Sequence, residues 1–286
     1  MNFWVIQGLN GLAFGSLLFI LASGFSLIFG LMRIVNLSHG AYLMLGAYVG
    51  LSAIDAGVNF WVAILIGGVA IAVLGAVIER FILRRLTGQP LAQVLVTLGI
   101  AFIIADACVW IWTGDPRSIP MPHELTGALR VQQLAFPIYR LFVIGVAFAL
   151  AAALWFLLER SRLGAMIRAG VDDLNMARAM GIRTSILFSV VFCLGSALAG
   201  AGGVLAGPIL SVYPGLDTDM LPLALVVVIL GGIGSLLGAF IGSLIIGFIY
   251  SYGQALFPDL AYVILFLPMV LVLTLRPTGL FGRQAI

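Results

Sequence analysis

The sequence predicts an all-α polytopic membrane protein of about nine transmembrane helices, some of them broken or re-entrant. Three observations predict it. Of the 286 residues, 63% are hydrophobic and only 9% are charged, against about 25% charged in a soluble domain. Uncharged runs recur along the whole chain at the length of about 20 residues that a helix needs to cross a ~30 Å hydrocarbon core. The remaining charges are bunched between those runs, and every one of the 14 basic residues is arginine.

The spans follow in order. The first covers residues 3–31; no basic residue precedes Arg33, so the chain opens on a span and not on a cleaved signal peptide. The second, 34–54, is interrupted by polar residues. The third covers 56–78, and the fourth, 91–112, carries one acid, Asp106. The fifth covers 141–158. Residues 184–216 are too long for one span and too short for two, and read as one span with a bent or re-entrant end at Gly207-Pro208. Residues 220–258 hold two spans with a break at the glycine-rich segment 231–235, and 260–275 is the last. The whole chain, 1–286, reads as a single transmembrane domain.

Orientation follows from the arginines, because cytoplasmic loops carry the excess of positive charge. An odd span count puts Arg80, Arg84, Arg85, the five arginines of the loop 159–184, Arg276 and Arg283 on one side. That side is the cytoplasm, and the N-terminus lies outside. Arg33 fits the inside; Arg117, Arg130 and Arg140 fall outside. The outer loop, 113–137, contains Pro116, Pro120, Pro122 and Pro137, which predict irregular or partly extended backbone.

The loop 159–184 is a polar island with five arginines and three acids. Such a segment cannot lie in hydrocarbon. Its second half predicts a short helix with Asp172 as N-cap, Asp173 near the positive helix end and Gly181 just past the C-terminus. Leu174, Ala177 and Met180 share one apolar face. That face suits the lipid interface and a partner's groove equally well. Within 29–48, the residues Arg33, Asn36, Ser38, His39 and Gly40 interrupt an apolar run. Polar groups at membrane depth line pathways or broken helices; a plain polar turn between two spans explains the same residues. Asp106 is a pathway candidate or a structural hydrogen-bonding group. Glu79 beside Arg80 reads as an interfacial ion pair. Gly234, Gly238 and Gly242, four apart, set a stripe for close helix packing.

The sequence carries no enzyme constellation. Its two histidines, His39 and His123, fall in different compartments on this topology. There is no lysine, hence no glycine-rich nucleotide loop followed by lysine. Cys108 and Cys193 sit in apolar runs without metal-ligand spacing, and read as packing residues. An ion-coupled secondary transporter is the reading from a different class; it typically shows paired intramembrane acids, and Asp106 stands alone.

Several of these segments resemble one family. Asn36-Leu-Ser-His-Gly40 followed by Leu43-Met-Leu-Gly-Ala-Tyr48 is similar to the NxxHG-type segment of the branched-chain amino acid ABC transporter permeases, of the LivH-like kind. Val77-Ile-Glu-Arg80, Ser161-Arg-Leu-Gly164, the run 169–181, the segment 230–238 and Arg276-Pro-Thr-Gly-Leu-Phe-Gly282 match in the same order. The resemblance covers essentially the whole chain. Where many members carry an acid after His-Gly, this chain has Ala41.

The resemblance implies an ABC importer permease fold in the bacterial inner membrane. It implies a second permease subunit, two cytoplasmic ATPases and a periplasmic substrate-binding protein as partners. ATP and Mg would be bound by the ATPases, and no cofactor by this chain. The implied cargo is a branched-chain or other hydrophobic amino acid; urea, short amides and small organic acids are the alternatives. It implies that the central loop couples to the ATPases, through Gly164, Asp172, Asp173, Ala177, Met180 and Gly181, which favours docking over the lipid interface. Asn36, Ser38, His39, Gly40 and Asp106 are the expected pathway residues. Arg117, Glu124 and Arg130 are the expected landing site for the binding protein, with the loop around Asp217 and Asp219 as a second candidate.

Overall fold

The computed structural model describes residues 2–131, 134–232, 234–276 and 278–282. Its helices fall where the uncharged runs predict them: α1 (Asn2–Met32), α2 (His39–Asp55), α3 (Phe60–Phe81), α4 (Pro90–Trp112) and α5 (Ile138–Arg160). Two short helices follow, α6 (Arg162–Asp172) and α7 (Leu174–Ala179), then α8 (Thr184–Leu210), α9 (Leu216–Gly231), α10 (Leu236–Leu256) and α11 (Ala261–Leu275). Among the described residues, six helices are long and apolar enough to cross a membrane: α1, α3, α4, α5, α8 and α10. The three others at expected spans, α2, α9 and α11, are 17, 16 and 15 residues long. The outer loop is extended in part, as its prolines predict: β1 (Ala128–Val131) pairs antiparallel with β2 (Leu134–Pro137), with Leu129 opposite Phe136.

Local chemistry sets the helix starts. Asn59 caps α3 by accepting the Trp61 N–H, and Ser235 caps α10 by accepting the Gly238 N–H. Pro90 opens α4, where its missing N–H is no loss. Asn36 Oδ1 accepts the backbone N–H and hydroxyl of Ser38, at 3.2 and 2.6 Å, in the turn leading into α2.

Two expectations are corrected. The helix does not end at Gly207-Pro208: α8 continues to Leu210, and Ser211 follows it with φ of +65°. Pro208 falls in the last turn, so its steric demand bears on a helix already about to end. Gly234 does not lie on a packing stripe; it precedes α10 with φ of +75°, so it serves the turn. Gly238 and Gly242 do pack, against Gly231 and Val227 of α9.

The chain separates into two compact units. The first comprises residues 1–22, 121–152 and 223–286. In it the α1 glycines meet α10: a Cβ at Gly11 would lie 2.9 Å from Phe248 Cα, and one at Gly15 2.7 Å from the Ser243 carbonyl. Phe19 and Phe148 both meet Phe240 edge-on. The C-terminal segment returns to the end of α9, where Leu280 and Phe281 donate N–H to the carbonyls of Leu230 and Gly231. The helix end that would otherwise leave carbonyls unsatisfied is thereby closed.

The second unit comprises residues 23–120 and 153–222. Its core is α2, α3 and α8. Without a hydrophobic drive between helices in lipid, close backbone approach supplies the packing. A Cβ at Gly200 of α8 would lie 2.6 Å from the Gly67 carbonyl of α3, and one at Gly195 2.7 Å from the Gly24 carbonyl of α1. The outward faces carry large apolar side chains, Leu65, Val69 and Val73 on α3 and Phe102, Ile103 and Trp110 on α4. Cys108 is buried and neither cysteine is in a disulfide.

Candidate functional site

The polar residues that interrupt the second span lie in the interior of the second unit. Asn36, Ser38 and His39 are each fully buried. The backbone of 33–37 is non-helical, and Arg33 opens it with φ of +52°. The turn folds back along α1. The His39 ring meets Phe25 edge-on at 5.4 Å, and a Cβ at Gly24 would lie 3.2 Å from His39 Cε1. Gly24 is eight residues before the end of α1, about 12 Å along the helix axis. The Leu37 N–H donates to Thr97 Oγ1 of α4 at 3.2 Å. Tyr42, one turn further on, is fully buried and meets Phe192 of α8 edge-on at 6.3 Å.

The first turn of α2 is held against the first turn of α9. A Cβ at Gly40 would lie 2.6 Å from the Asp217 carbonyl and 3.0 Å from Leu221 Cβ. Asp217 itself is buried. It therefore does not offer the outer landing surface the sequence suggested. Asp219 accepts the Tyr213 hydroxyl, and Val212 exchanges two backbone hydrogen bonds with Arg117. Arg117 also pairs with Asp55 at the end of α2, at 2.9 Å. Glu124 and Arg130, in the other unit, are exposed.

The polar island forms two helices where the sequence predicted one. Ser161 caps α6 by accepting the Gly164 N–H at 3.0 Å. Asp172 ends α6, and Asp173 is the N-cap of α7, accepting the N–H groups of Asn175 and Met176 at 2.8 and 3.0 Å. Asp173 has the extended backbone of a cap, whereas Asp172 is helical. Gly181 follows α7 with φ of +85°, as a C′ glycine does. Ala177 is buried, while Met176 and Met180 are 60% and 78% exposed.

This segment touches the base of the polar turn. Arg33 Nη2 donates to the Val171 carbonyl in the last turn of α6, at 3.4 Å. A Cβ at Gly170 would lie 3.1 Å from Leu31 Cδ1 of α1 and 3.4 Å from Leu187 Cδ2 of α8. Arg178 Nε reaches Thr184 Oγ1 at the start of α8, at 3.0 Å. A continuous chain of contacts thus runs from the exposed α6–α7 pair, through the end of α1, to the turn that carries Asn36 and His39.

Glu79 is a further buried charge, and its partner is Arg84, not Arg80. Arg84 approaches both carboxylate oxygens, at 3.3 and 3.2 Å, and Ser189 of α8 donates its hydroxyl to Oε2 at 2.5 Å. Two more contacts, Arg84 to the Ser185 carbonyl and to Ser189 Oγ, join the end of α3 to α8. Arg80 is adjacent in sequence but exposed, since neighbours on a helix do not face each other. Asp106 is not brought to the Asn36–His39 cluster. It lies on the exposed face of α4 with Phe102, Ile103 and Trp110, while Gln93, Thr97, Ala101, Ile104 and Cys108 form the buried face. Among the described residues, no group of three or more metal-ligating side chains is assembled.

Known proteins share this architecture. One solved structure, PsaBC from Streptococcus pneumoniae in complex with Fab, has a chain that superposes with a TM-score of 0.50 at 16% identity, covering 96% of this chain and 92% of that one. That likeness is one of fold. The high-affinity branched-chain amino acid transport system permease protein BraD of Pseudomonas aeruginosa is 29% identical over 98% of this chain and 96% of its own length. LivH of Escherichia coli, which has the same description, is 29% identical over 99% and 97%. The ribose import permease protein RbsC of Escherichia coli is 27% identical over 87% and 78%. The family model described as the permease component of the branched-chain amino acid transport system matches residues 8–273. The chain belongs to that family of membrane-transport permeases.

Proposed function

We propose that this chain is the transmembrane permease subunit of an ATP-driven importer for branched-chain or other hydrophobic amino acids. A periplasmic binding protein delivers the solute, a second permease subunit completes the pathway as a heterodimer, and two cytoplasmic ATPases drive the cycle with ATP and Mg. The chain itself carries no catalytic centre. It sits in the bacterial inner membrane with nine spans, the N-terminus outside and the C-terminus in the cytoplasm. The short helices α2, α9 and α11 supply the three spans beyond the six long ones.

One observation carries the reading. The exposed α6–α7 pair is linked by Gly170–Leu31 and Arg33–Val171 contacts to a buried polar turn. Met176 and Met180 on that pair are largely exposed, a surface suited to a partner's groove. We assign coupling to Gly164, Asp172, Asp173, Ala177, Met180 and Gly181, and the pathway to Asn36, Ser38, His39 and Gly40. The ATPases bias the permease only by binding one arrangement of α6–α7 more tightly than another. Their force reaches the end of α1 and the start of α8, and so the turn. Arg117, Glu124 and Arg130 face the binding protein. Copurification in mild detergent tests the assembly. A second permease and two ATPases are expected with the tagged chain; recovery of the chain alone would contradict the reading.

A further inference from the structure

Two helix N-termini meet inside the second unit. α2 and α9 are 17 and 16 residues long, about 25 and 24 Å, each short of a ~30 Å core. Their first turns touch at Gly40 and Asp217. The packing of His39 on Gly24 and Phe25 places this junction well within the length of α1. A helix N-terminus presents unsatisfied N–H groups and about half a positive charge.

Buried polar atoms at this junction have no partner. Asn36 spends its Oδ1 on Ser38, while Nδ2 of the same amide makes no hydrogen bond among the described residues. The Tyr42 hydroxyl is buried against the side chains of Ser38 and Asn36. Asp217, 8% exposed on the first turn of α9, leaves Oδ1 without a partner. Leaving buried polar atoms unpaired is costly, and natural proteins keep few of them. An unpaired amide N–H of Asn36 at one helix start and an unpaired carboxylate oxygen of Asp217 at the other complement a molecule bearing both an anion and a cation. Phe25 and Phe192, buried beside His39 and Tyr42, supply apolar walls.

We propose that the junction of the α2 and α9 N-termini is a transit binding site for an α-amino acid zwitterion. The carboxylate is held by Asn36 Nδ2, the Tyr42 hydroxyl and the N–H groups of α2 that follow His39, whose own N–H donates to the Asn36 carbonyl; the ammonium is held by Asp217. The proposal rests on the reading of Asn36–Gly40 as pathway and of the cargo as an amino acid, and adds where that cargo is held and the residue that selects it. The site is closed in this structure, because Gly40 and the Asp217 backbone are in contact. It opens as the first turn of α9 moves off Gly40.

The test uses the complete transporter in nanodiscs, with Cys108 and Cys193 replaced by alanine and Ser38→Cys as the reporter. Labelling by a small thiol reagent is followed during ATP turnover with three probes: L-leucine, 4-methylpentanoate (no ammonium) and 3-methylbutylamine (no carboxylate). Leucine is expected to protect at concentrations at least about tenfold below either half-ligand, the scale of one charge-assisted hydrogen bond. Asp217→Asn is expected to make leucine no better than 4-methylpentanoate. Asn36→Asp keeps the cap oxygen but removes the donor, and is expected to abolish protection by both. An unchanged leucine preference in Asp217→Asn, or equal protection by all three probes in the parent, overturns the assignment. The two substitutions act on opposite charges of the ligand, so either decides the matter if the other does not assemble. Labelling that ignores nucleotide altogether overturns the pathway reading instead.

Discussion

Gly170 is where the coupling account is most exposed to test. It lies in the last turn of α6, between Leu31 of α1 and Leu187 of α8. An alanine there would place Cβ 3.1 Å from Leu31 Cδ1 and 3.4 Å from Leu187 Cδ2. Ordinary carbon contacts are about 3.5–4.0 Å, so the flexible Leu31 terminus must yield by a few tenths of an ångström. Helix propensity favours alanine over glycine by about 1 kcal/mol, which offsets that strain. Leucine adds three more carbons with no space to occupy, and overpacking of this kind costs about 1–3 kcal/mol. The strain is relieved by moving α6 away from α1, which breaks the contact chain to Arg33 and the turn. The assay is leucine transported per ATP hydrolysed by the complete complex in proteoliposomes. Gly170→Ala should stay within about twofold of the parent. Gly170→Leu should keep ATP hydrolysis but lose about tenfold in the ratio, the equivalent of about 1.4 kcal/mol. A parental ratio in Gly170→Leu would refute the route through α1.

Further outcomes follow from the same geometry. Gly181→Pro should assemble in the membrane yet uncouple ATP hydrolysis from uptake, because proline fixes φ near −65° where this position has +85° and removes the N–H that bonds the Arg178 carbonyl; normal uptake would count against it. Ser38→Cys should react with small thiol reagents only in some nucleotide or substrate states, and uniform labelling would make 33–38 a plain turn. Arg84→Met should lower the thermal stability of the purified chain by about 1–2 kcal/mol, since it strips the partner from buried Glu79. This figure is discounted because the Arg84 side chain is itself 36% exposed; Arg80→Met, with an exposed side chain, should leave the melting temperature unchanged.

Much of the fold is legible in the sequence, because lipid leaves the backbone few options and uncharged runs of span length are hard to mistake. That Gly11 and Gly15 of α1 suit close helix packing is legible too, as small residues four apart; that they meet α10 is not. What is not legible depends on tertiary position. Arg33 to Gly40 reads as a surface turn slightly more readily than as a buried break, since Arg33 fits the cytoplasmic end of the first span. Only the packing of His39 on Gly24 and Phe25 decides. Asp106 looks functional by its position in a span, yet helix phase puts it on the outer face of α4, and the phase depends on which face the neighbours cover. Asp172 and Asp173 are both good caps, and one residue of backbone conformation separates them. α6 was legible in principle: Ser161 stands three residues before Gly164, and Leu163, Ile167 and Gly170 recur at helical spacing. The role of Asp217 was not, because nothing local indicates that the first turn of α9 meets α2.

The most direct test of the whole account is leucine uptake into proteoliposomes that contain the chain with its copurified partners and a binding protein. The account predicts accumulation only when ATP is present on the ATPase side, lost when this chain is omitted. Accumulation driven by an ion gradient without ATP would contradict it.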